Sequence, residues 1–250
     1  MMTERSEPEE VPLDGGNLTQ GIVRVGDTVR RPRSEFSAFA ARLLQHLEEV
    51  GFEGAPRYLG TDAQNRDILT FIPGETKWRP LKDRQVVAGG QLLRAFHDAT
   101  RGTDLAGDHP VVCHGDPGPN NAIFQDDLPV AWIDFDLAVP GDPMKDLGWM
   151  AWFWCISMKP ERGPVTRQAA QVRLLLDAYE LEADLRPKII KAIYERMEWN
   201  IAFFEEKRLE EPQPHLRTLS AEKLDLIIGG TQLEKAYVQV NEDVFLAALK

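Results

Sequence analysis

The 250-residue sequence predicts an α+β fold in two lobes, a small antiparallel sheet with one helix followed by a larger helical lobe. Two observations carry that expectation. Short β-prone runs crowd the first 74 residues and stop at Pro73-Gly74, a strong punctuation mark. From Asp83 onward, apolar residues recur mostly at helical spacing.

Taken in order, residues 1–10 are charged and nearly free of apolar side chains, so they read as a disordered tail. The small lobe then spans 11–74 and the helical lobe 75–250. The run QGIVRVGDTVRRP places two β-prone segments either side of Gly26-Asp27, a two-residue hairpin signal, and Pro32 ends the second. From Ser34 to Val50, Phe36, Phe39, Leu43, Leu44 and Leu47 follow a helical period, and Gly51 supplies a stop. Further short strands are expected at Arg57–Gly60 and Asp67–Ile72. Asp83 can cap a helix running to about Ala99, with Val86, Leu93 and Phe96 inward and Gly89-Gly90 admitting a close neighbour. Residues 144–158, MKDLGWMAWFWCISM, are apolar on nearly every side and read as one fully buried helix. Amphipathic helices around 164–181, 186–208, 220–228 and 231–249 complete the chain.

The formal charge of −11 argues against a nucleic-acid groove, which needs clustered Lys and Arg, and favours a cationic or neutral small partner. The two cysteines, Cys113 and Cys155, give neither a disulfide framework nor the usual zinc spacing, which suits a reducing cytoplasm. The acidic N-terminus lacks the order of a signal peptide, and the apolar stretch Leu147–Met158 is too short to span a bilayer. A cytoplasmic protein without membrane attachment is expected.

The chemistry concentrates in two segments. VVCHGDPGPNNAIF puts His114-Gly115-Asp116 after an apolar run with Asn121 five positions beyond Asp116, and VAWIDFD delivers Asp134 and Asp136. Phosphoryl transfer asks for a carboxylate to orient the acceptor and take its proton, and for carboxylate or amide oxygens to hold Mg²⁺. Both are offered here, in the order of a kinase catalytic loop and its metal site.

With His114-Gly115-Asp116 and Asn121, Ile133-Asp134-Phe135-Asp136, and Gly141-Asp142-Pro143 followed by Asp146-Leu147, the sequence resembles the aminoglycoside phosphotransferase family, whose relatives include choline and homoserine kinases. That resemblance implies a bilobal protein-kinase-like fold and transfer of the terminal phosphoryl group of ATP or GTP, with Mg²⁺, to a hydroxyl of a small molecule, an aminoglycoside being one candidate. It makes Asp116 the base and Asn121 and Asp134 the metal ligands. Phe71-Ile72-Pro73-Gly74-Glu75 resembles the linker that receives the adenine, which assigns Phe71 and Ile72 to the nucleotide. DGGNLTQG would be the phosphate-covering loop, with Gly15, Gly16 and Gly21 allowing close backbone approach. Where the family carries a phosphate-gripping Lys on the third strand, this chain has Arg30 and Arg31; alternation from the hairpin turn is expected to aim Arg30 into the cleft and Arg31 away. The helix position that pairs with that Lys reads Ala40 or Ala41.

Other residues have plainer expected roles. Asp136 either braces the site by hydrogen bonds or touches the metal. Asp142 and Asp146 cap and brace the following helix, His114 fixes its loop, and Cys113 is a buried strand residue. On the helix at 186–208, Glu195, Glu198, Trp199 and Glu206 lie opposite Ile190, Ile193, Met197, Ile201 and Phe204. That acidic face with its Trp either holds a polycation or is simply solvated. Two further readings stand beside transfer: a nucleotide-binding pseudo-enzyme, and a metal-dependent hydrolase using the same carboxylates.

Overall fold

The computed structural model describes residues 9–13, 19–78, 80–210 and 218–250, and among these the fold is mixed α+β. Strands β1 (Val11–Pro12), β2 (Val23–Val25) and β3 (Thr28–Pro32) precede helix α1 (Ser37–Glu49), and β4 (Tyr58–Thr61) and β5 (Arg66–Thr70) follow it. The strands form one antiparallel sheet in the order β1-β2-β3-β5-β4. The expected hairpin forms at Gly26-Asp27, pairing Val25 with Thr28 and Val23 with Arg30. Pro32, with no N–H to donate, is the last residue of its ladder. α1 starts later than the periodicity suggests: Phe36 sits ahead of the first turn and is exposed, while Ala40, Leu43, Leu44 and Leu47 are buried.

The helical part begins with α2 (Asp83–Thr100), followed by β6 (Val111–Cys113), β7 (Ala122–Gln125), β8 (Leu128–Trp132) and β9 (Val139–Gly141). β6 pairs with β9 and β7 with β8, two antiparallel ribbons whose ends carry the motif residues. The segment leaving the sheet is stitched onto β7. Glu75 and Phe124 exchange backbone hydrogen bonds of 3.1 and 2.8 Å, and the Gln125 side chain donates to the Pro73 carbonyl at 2.7 Å.

α3 (Met144–Met150), α4 (Val165–Ala178), α5 (Ile189–Lys207), α6 (Ala221–Val240) and α7 (Glu242–Ala248) complete the chain. α2 packs on α4, and α5 packs on α3 and α6. Trp132, Trp154, Phe96 and Phe124 are fully buried between these layers. Gly89 of α2 is what lets Trp154 in, because a Cβ there would stand 2.4 Å from the indole.

Two helices differ from the periodicity. The buried run at 144–158 is a regular helix only to Met150, after which Ala151–Cys155 form a wider π-helical turn. Trp149 and Phe153 stack there at 4.3 Å, and Arg162 donates to the carbonyls of Phe153 and Trp154 at 2.9 and 2.6 Å. At the other end, Gly229-Gly230 was expected to divide two helices, yet α6 runs through them and the break comes at Asn241. Each glycine costs about 1 kcal/mol in a helix. Burial of Leu224, Ile228 and Val238 and the 3.0 Å bond from Asn200 to Thr231 offset that cost. No described helix is long and apolar enough to cross a membrane.

Candidate active site

β6 and β9 deliver the His114-Gly115-Asp116 loop next to the start of α3, and a buried carboxylate there fixes it. Asp146 accepts from the backbone N–H groups of His114 at 2.6 Å and Gly115 at 3.0 Å, and from His97 Nε2 at 3.0 Å. Burial opposes ionisation of Asp146, but the hydrogen bond and charge of His97 hold its carboxyl below the ordinary value. This differs from the expected role: Asp142 does accept from the Met144 N–H at 2.9 Å, whereas Asp146 turns inward to grip the loop. Gly115 has φ +81°, and a Cβ at that position would lie 2.1 Å from the Leu137 carbonyl oxygen.

His114 ties the two motif segments together. Its Nε2–H donates to the Ile133 carbonyl at 3.1 Å and its Nδ1 accepts from the Asp116 N–H at 3.3 Å, which sets one neutral tautomer. Burial lowers its pKa, consistent with that neutral form. Phe135 packs its ring 4.7 Å from the imidazole.

The predicted base and metal ligands come together across this ring. Asn121 Nδ2 donates to the Asp116 carboxylate at 2.8 Å and to the Asp116 carbonyl at 3.0 Å, and the Asn121 carbonyl accepts from the Ile133 N–H at 2.9 Å. Desolvation pushes the Asp116 carboxyl up to about 6, opposed chiefly by the charge of Arg196. Asp134 sits in the left-handed region at φ 66°, ψ 67°, with its side chain 40% exposed. Such a backbone is uncommon for a non-glycine residue, and here it turns the carboxylate out toward the cleft.

Arg31, not Arg30, faces that carboxylate. Its guanidinium lies 3.3 Å from Asp134 and 2.5 Å from Asp136, while Arg30 turns to Thr28 at 2.6 Å and to Asp62 at 3.8 Å. The expected orientation is therefore reversed. α1 and the cleft lie on the same face of the sheet, not on opposite faces: Val29, Arg31, Leu69, Ala40, Ala41 and Leu44 line one cavity. Where a helix carboxylate would face the strand cation, Ala40 and Ala41 stand, and Arg31 is balanced by the two Asp residues instead. Asp136 is thus an ion-pair partner of Arg31; its burial raises its pKa, although the charge of Arg31 pulls it down.

That cavity has a volume of about 500 Å³ and is also lined by Phe71, Ile72, Asn121 and Asp134. Gly15 and Gly16, the other residues assigned to the nucleotide, lie outside the described residues. A second cavity, about 650 Å³, adjoins it through Thr76 and reaches the loop at Pro119, with Trp78, Trp152, Phe153 and Glu234 on its walls. The oxygens of Asn121 and Asp134 are hard donors of the kind that suit Mg²⁺.

Sequence reasoning missed Arg196. It lies over the Trp149 ring at 3.4 Å and the Trp199 ring at 4.0 Å. Burial lowers its pKa to about 10, against the pull of Asp116 and Asp146. Its three-residue spacing from Trp199 was a readable signal; its contact with α3 was not.

A sequence model of the phosphotransferase enzyme family matches residues 103–187, which include Asp116, Asn121, Asp134 and Asp146. The trifolitoxin immunity protein of Rhizobium leguminosarum bv. trifolii is 34% identical over 201 residues, covering 71% of this chain and 77% of that protein. Among solved structures, a choline/ethanolamine kinase family protein from Mesorhizobium loti aligns with a TM-score of 0.63 and 17% identity over 96% of this chain and 92% of its own. The gentamicin complex of APH(2")-IIa aligns with a TM-score of 0.60 and 15% identity over 95% and 93% of the two chains. At these identities the likeness to the solved structures is one of fold, the bilobal protein-kinase-like arrangement.

Proposed function

Because this chain belongs to the phosphotransferase enzyme family, we propose that it moves the terminal phosphoryl group of ATP or GTP onto a hydroxyl of a small molecule. One observation carries the reading. Asp116 is hydrogen-bonded to Asn121 across a loop that His114 fastens to the Asp134 segment, and Asn121 and Asp134 line a cavity walled by Phe71 and Ile72.

In this reading the base and sugar of the nucleotide lie in the 500 Å³ cavity against Val29, Leu69, Phe71 and Ile72. Arg31 takes the place of the strand Lys and reaches the phosphates with a planar fork instead of a point charge. Asn121 and Asp134 hold Mg²⁺, which when bound supplies positive charge to the terminal phosphates. Asp116 accepts the proton of the attacking hydroxyl, and the Asn121 amide fixes the carboxylate's direction. The acceptor approaches from the helical side, through the 650 Å³ cavity that reaches the Asp116 loop at Pro119. The relative's name attaches it to immunity against a toxin. Phosphorylation of a hydroxyl on a toxic small molecule is one form that the reaction would take here.

Transfer of label from γ-labelled nucleotide to a panel of hydroxyl compounds, with Mg²⁺, tests the reading. With any acceptor so found, Asp116→Asn should keep nucleotide binding and lose turnover by ~10²–10⁴-fold, the usual contribution of a general base. Turnover within a few-fold of the unmodified protein would remove Asp116 from that role. Nucleotide binding without transfer to any hydroxyl would favour the pseudo-enzyme.

A further inference from the structure

The described walls of the 650 Å³ cavity are largely apolar, formed by Trp78, Pro80, Pro119, Trp152, Phe153 and Ile156. Sites for small molecules of about 300–1,000 Å³ are built in this way, with aromatic walls and few polar groups. Trp78 is 57% exposed, so a large aromatic face on this cavity is left uncovered. Trp152 and Phe153 reach the cavity from the π-helical turn Ala151–Cys155, an irregularity that recurs at functional sites. Their wall is held from several sides. Trp149 stacks on Phe153 at 4.3 Å, the Trp152 indole N–H donates to one Glu234 carboxylate oxygen at 2.6 Å, and the Ser157 hydroxyl donates to the other at 3.0 Å. Glu234 thus serves the aromatic wall with both of its oxygens.

We infer that the acceptor is a hydroxyl compound carrying a flat aromatic ring and little net charge, seated against Trp78, Trp152 and Phe153, with Trp78 as the residue that selects it. Stacking on an aromatic face rewards any flat ring and does little for a puckered sugar. The charges on the same walls agree. Lys77 is taken by Glu75 and Asp127 at 2.7 and 2.8 Å, which leaves Lys159 and Arg162 beside Glu161 and Glu234, with no surplus of acid for a polycation. The acidic face of α5 offers no second cradle. Glu195 pairs with Lys191 at 2.9 Å, Glu198 pairs with Lys235 at 2.6 Å, the Trp199 ring carries Arg196 and a stacked Phe203, and Glu195, Glu198 and Trp199 line neither cavity. The aromatic cavity meets the nucleotide cavity at Thr76 and the Asp116 loop at Pro119, so a ring held in it borders both the phosphate donor and the base. That this ligand is the acceptor rests on the transfer reading above; the ring site itself does not.

Two measurements on the full chain separate these. The first is ligand-observed NMR on protein saturated with Mg²⁺ and a non-hydrolysable nucleotide, so that the nucleotide cavity is filled, titrated with 2-naphthalenemethanol, with its fully saturated decalin counterpart, and with kanamycin as the polycation. Saturable binding of the naphthalene compound is expected, tighter than that of the other two. Trp78→Ala should weaken it roughly ten- to hundredfold, the scale of one lost stacking partner, and Trp78→Phe should recover part of that loss. Nucleotide affinity held by both variants shows that they fold. No binding of the naphthalene compound, binding that Trp78→Ala leaves unchanged, or tighter binding of kanamycin overturns the inference. The second measurement is transfer of label from γ-labelled nucleotide to the same three compounds and to a wider panel of ring-bearing and saturated alcohols. Ring-bearing acceptors should be preferred, and Trp78→Ala should raise their KM by a factor like that seen in binding. Equal or better transfer to saturated alcohols or kanamycin overturns the inference while upholding the transfer reading. Ring binding at Trp78 with no compound phosphorylated does the reverse.

Discussion

The loop that carries Asp116 and the strand that carries Arg31 meet at one cavity, yet they are held by different means. The loop hangs on Asp146, which is 1% exposed and receives two backbone N–H groups and an imidazole. The strand is held to the opposite side by charge, through Arg31 to Asp134 and Asp136, whose side chains are 40% and 22% exposed. A buried carboxylate with its bonds satisfied is rigid, because every departure strands a polar group away from water. Arg31 itself is buried, but the Asp134 carboxylate is open to the cleft, so a charged ligand entering there can share the guanidinium with it. Under the proposed function, the side that would take the acceptor's proton is thus preorganised, and the side that would receive a charged ligand can rearrange around it.

Three substitutions bear on that contrast, in falling order of effect. Asp146→Ala should destabilise the protein by about 3–5 kcal/mol, the usual result of removing one partner from a buried ionic network. Denaturant unfolding measures it; a loss below about 1 kcal/mol would mean that the loop does not depend on this brace. Arg31→Ala should leave stability less affected and weaken nucleotide binding by about 1.5–3 kcal/mol, with Arg31→Lys intermediate. Titration calorimetry at fixed Mg²⁺ and salt decides it, and unchanged affinity would take Arg31 out of the phosphate site. Arg30→Ala should leave nucleotide affinity nearly unchanged and cost about 0.5–1.5 kcal/mol of stability, the scale of its lost hydrogen bond to Thr28, although the hairpin pattern alone had assigned Arg30 the larger role.

What the sequence made legible follows from what is local. The spacing of Asp116 and Asn121, and the return of Asp134 after two short strands, lie within 19 residues, and a ribbon of that length closes on itself. The hairpin at Gly26-Asp27 was readable because its turn chemistry is confined to the turn itself. Arg31 was misread because alternation divides a strand into two faces without saying which one a helix will cover. That choice is made by α1, whose Ala40 and Leu44 share the cavity with Val29 and Arg31. Arg196 escaped for a similar reason: its environment is set by Trp149, which only the packing of α5 on α3 brings near. At Gly229-Gly230 a local signal was outweighed by the buried residues on either side of it.

The two bonds of His114 have a bearing on proton traffic. One ring nitrogen donates to the Ile133 carbonyl and the other accepts from the Asp116 N–H, so the imidazole has neither a free lone pair nor a free hydrogen to pass along. It is a rivet, and it does not conduct. With Asp116 as the proposed base, a proton it takes up would find no relay through this residue to the interior, and its way out would lie back through the cleft to bulk water. Each cycle of transfer would then end only when the cleft admits water again, which couples recovery of the base to departure of the product.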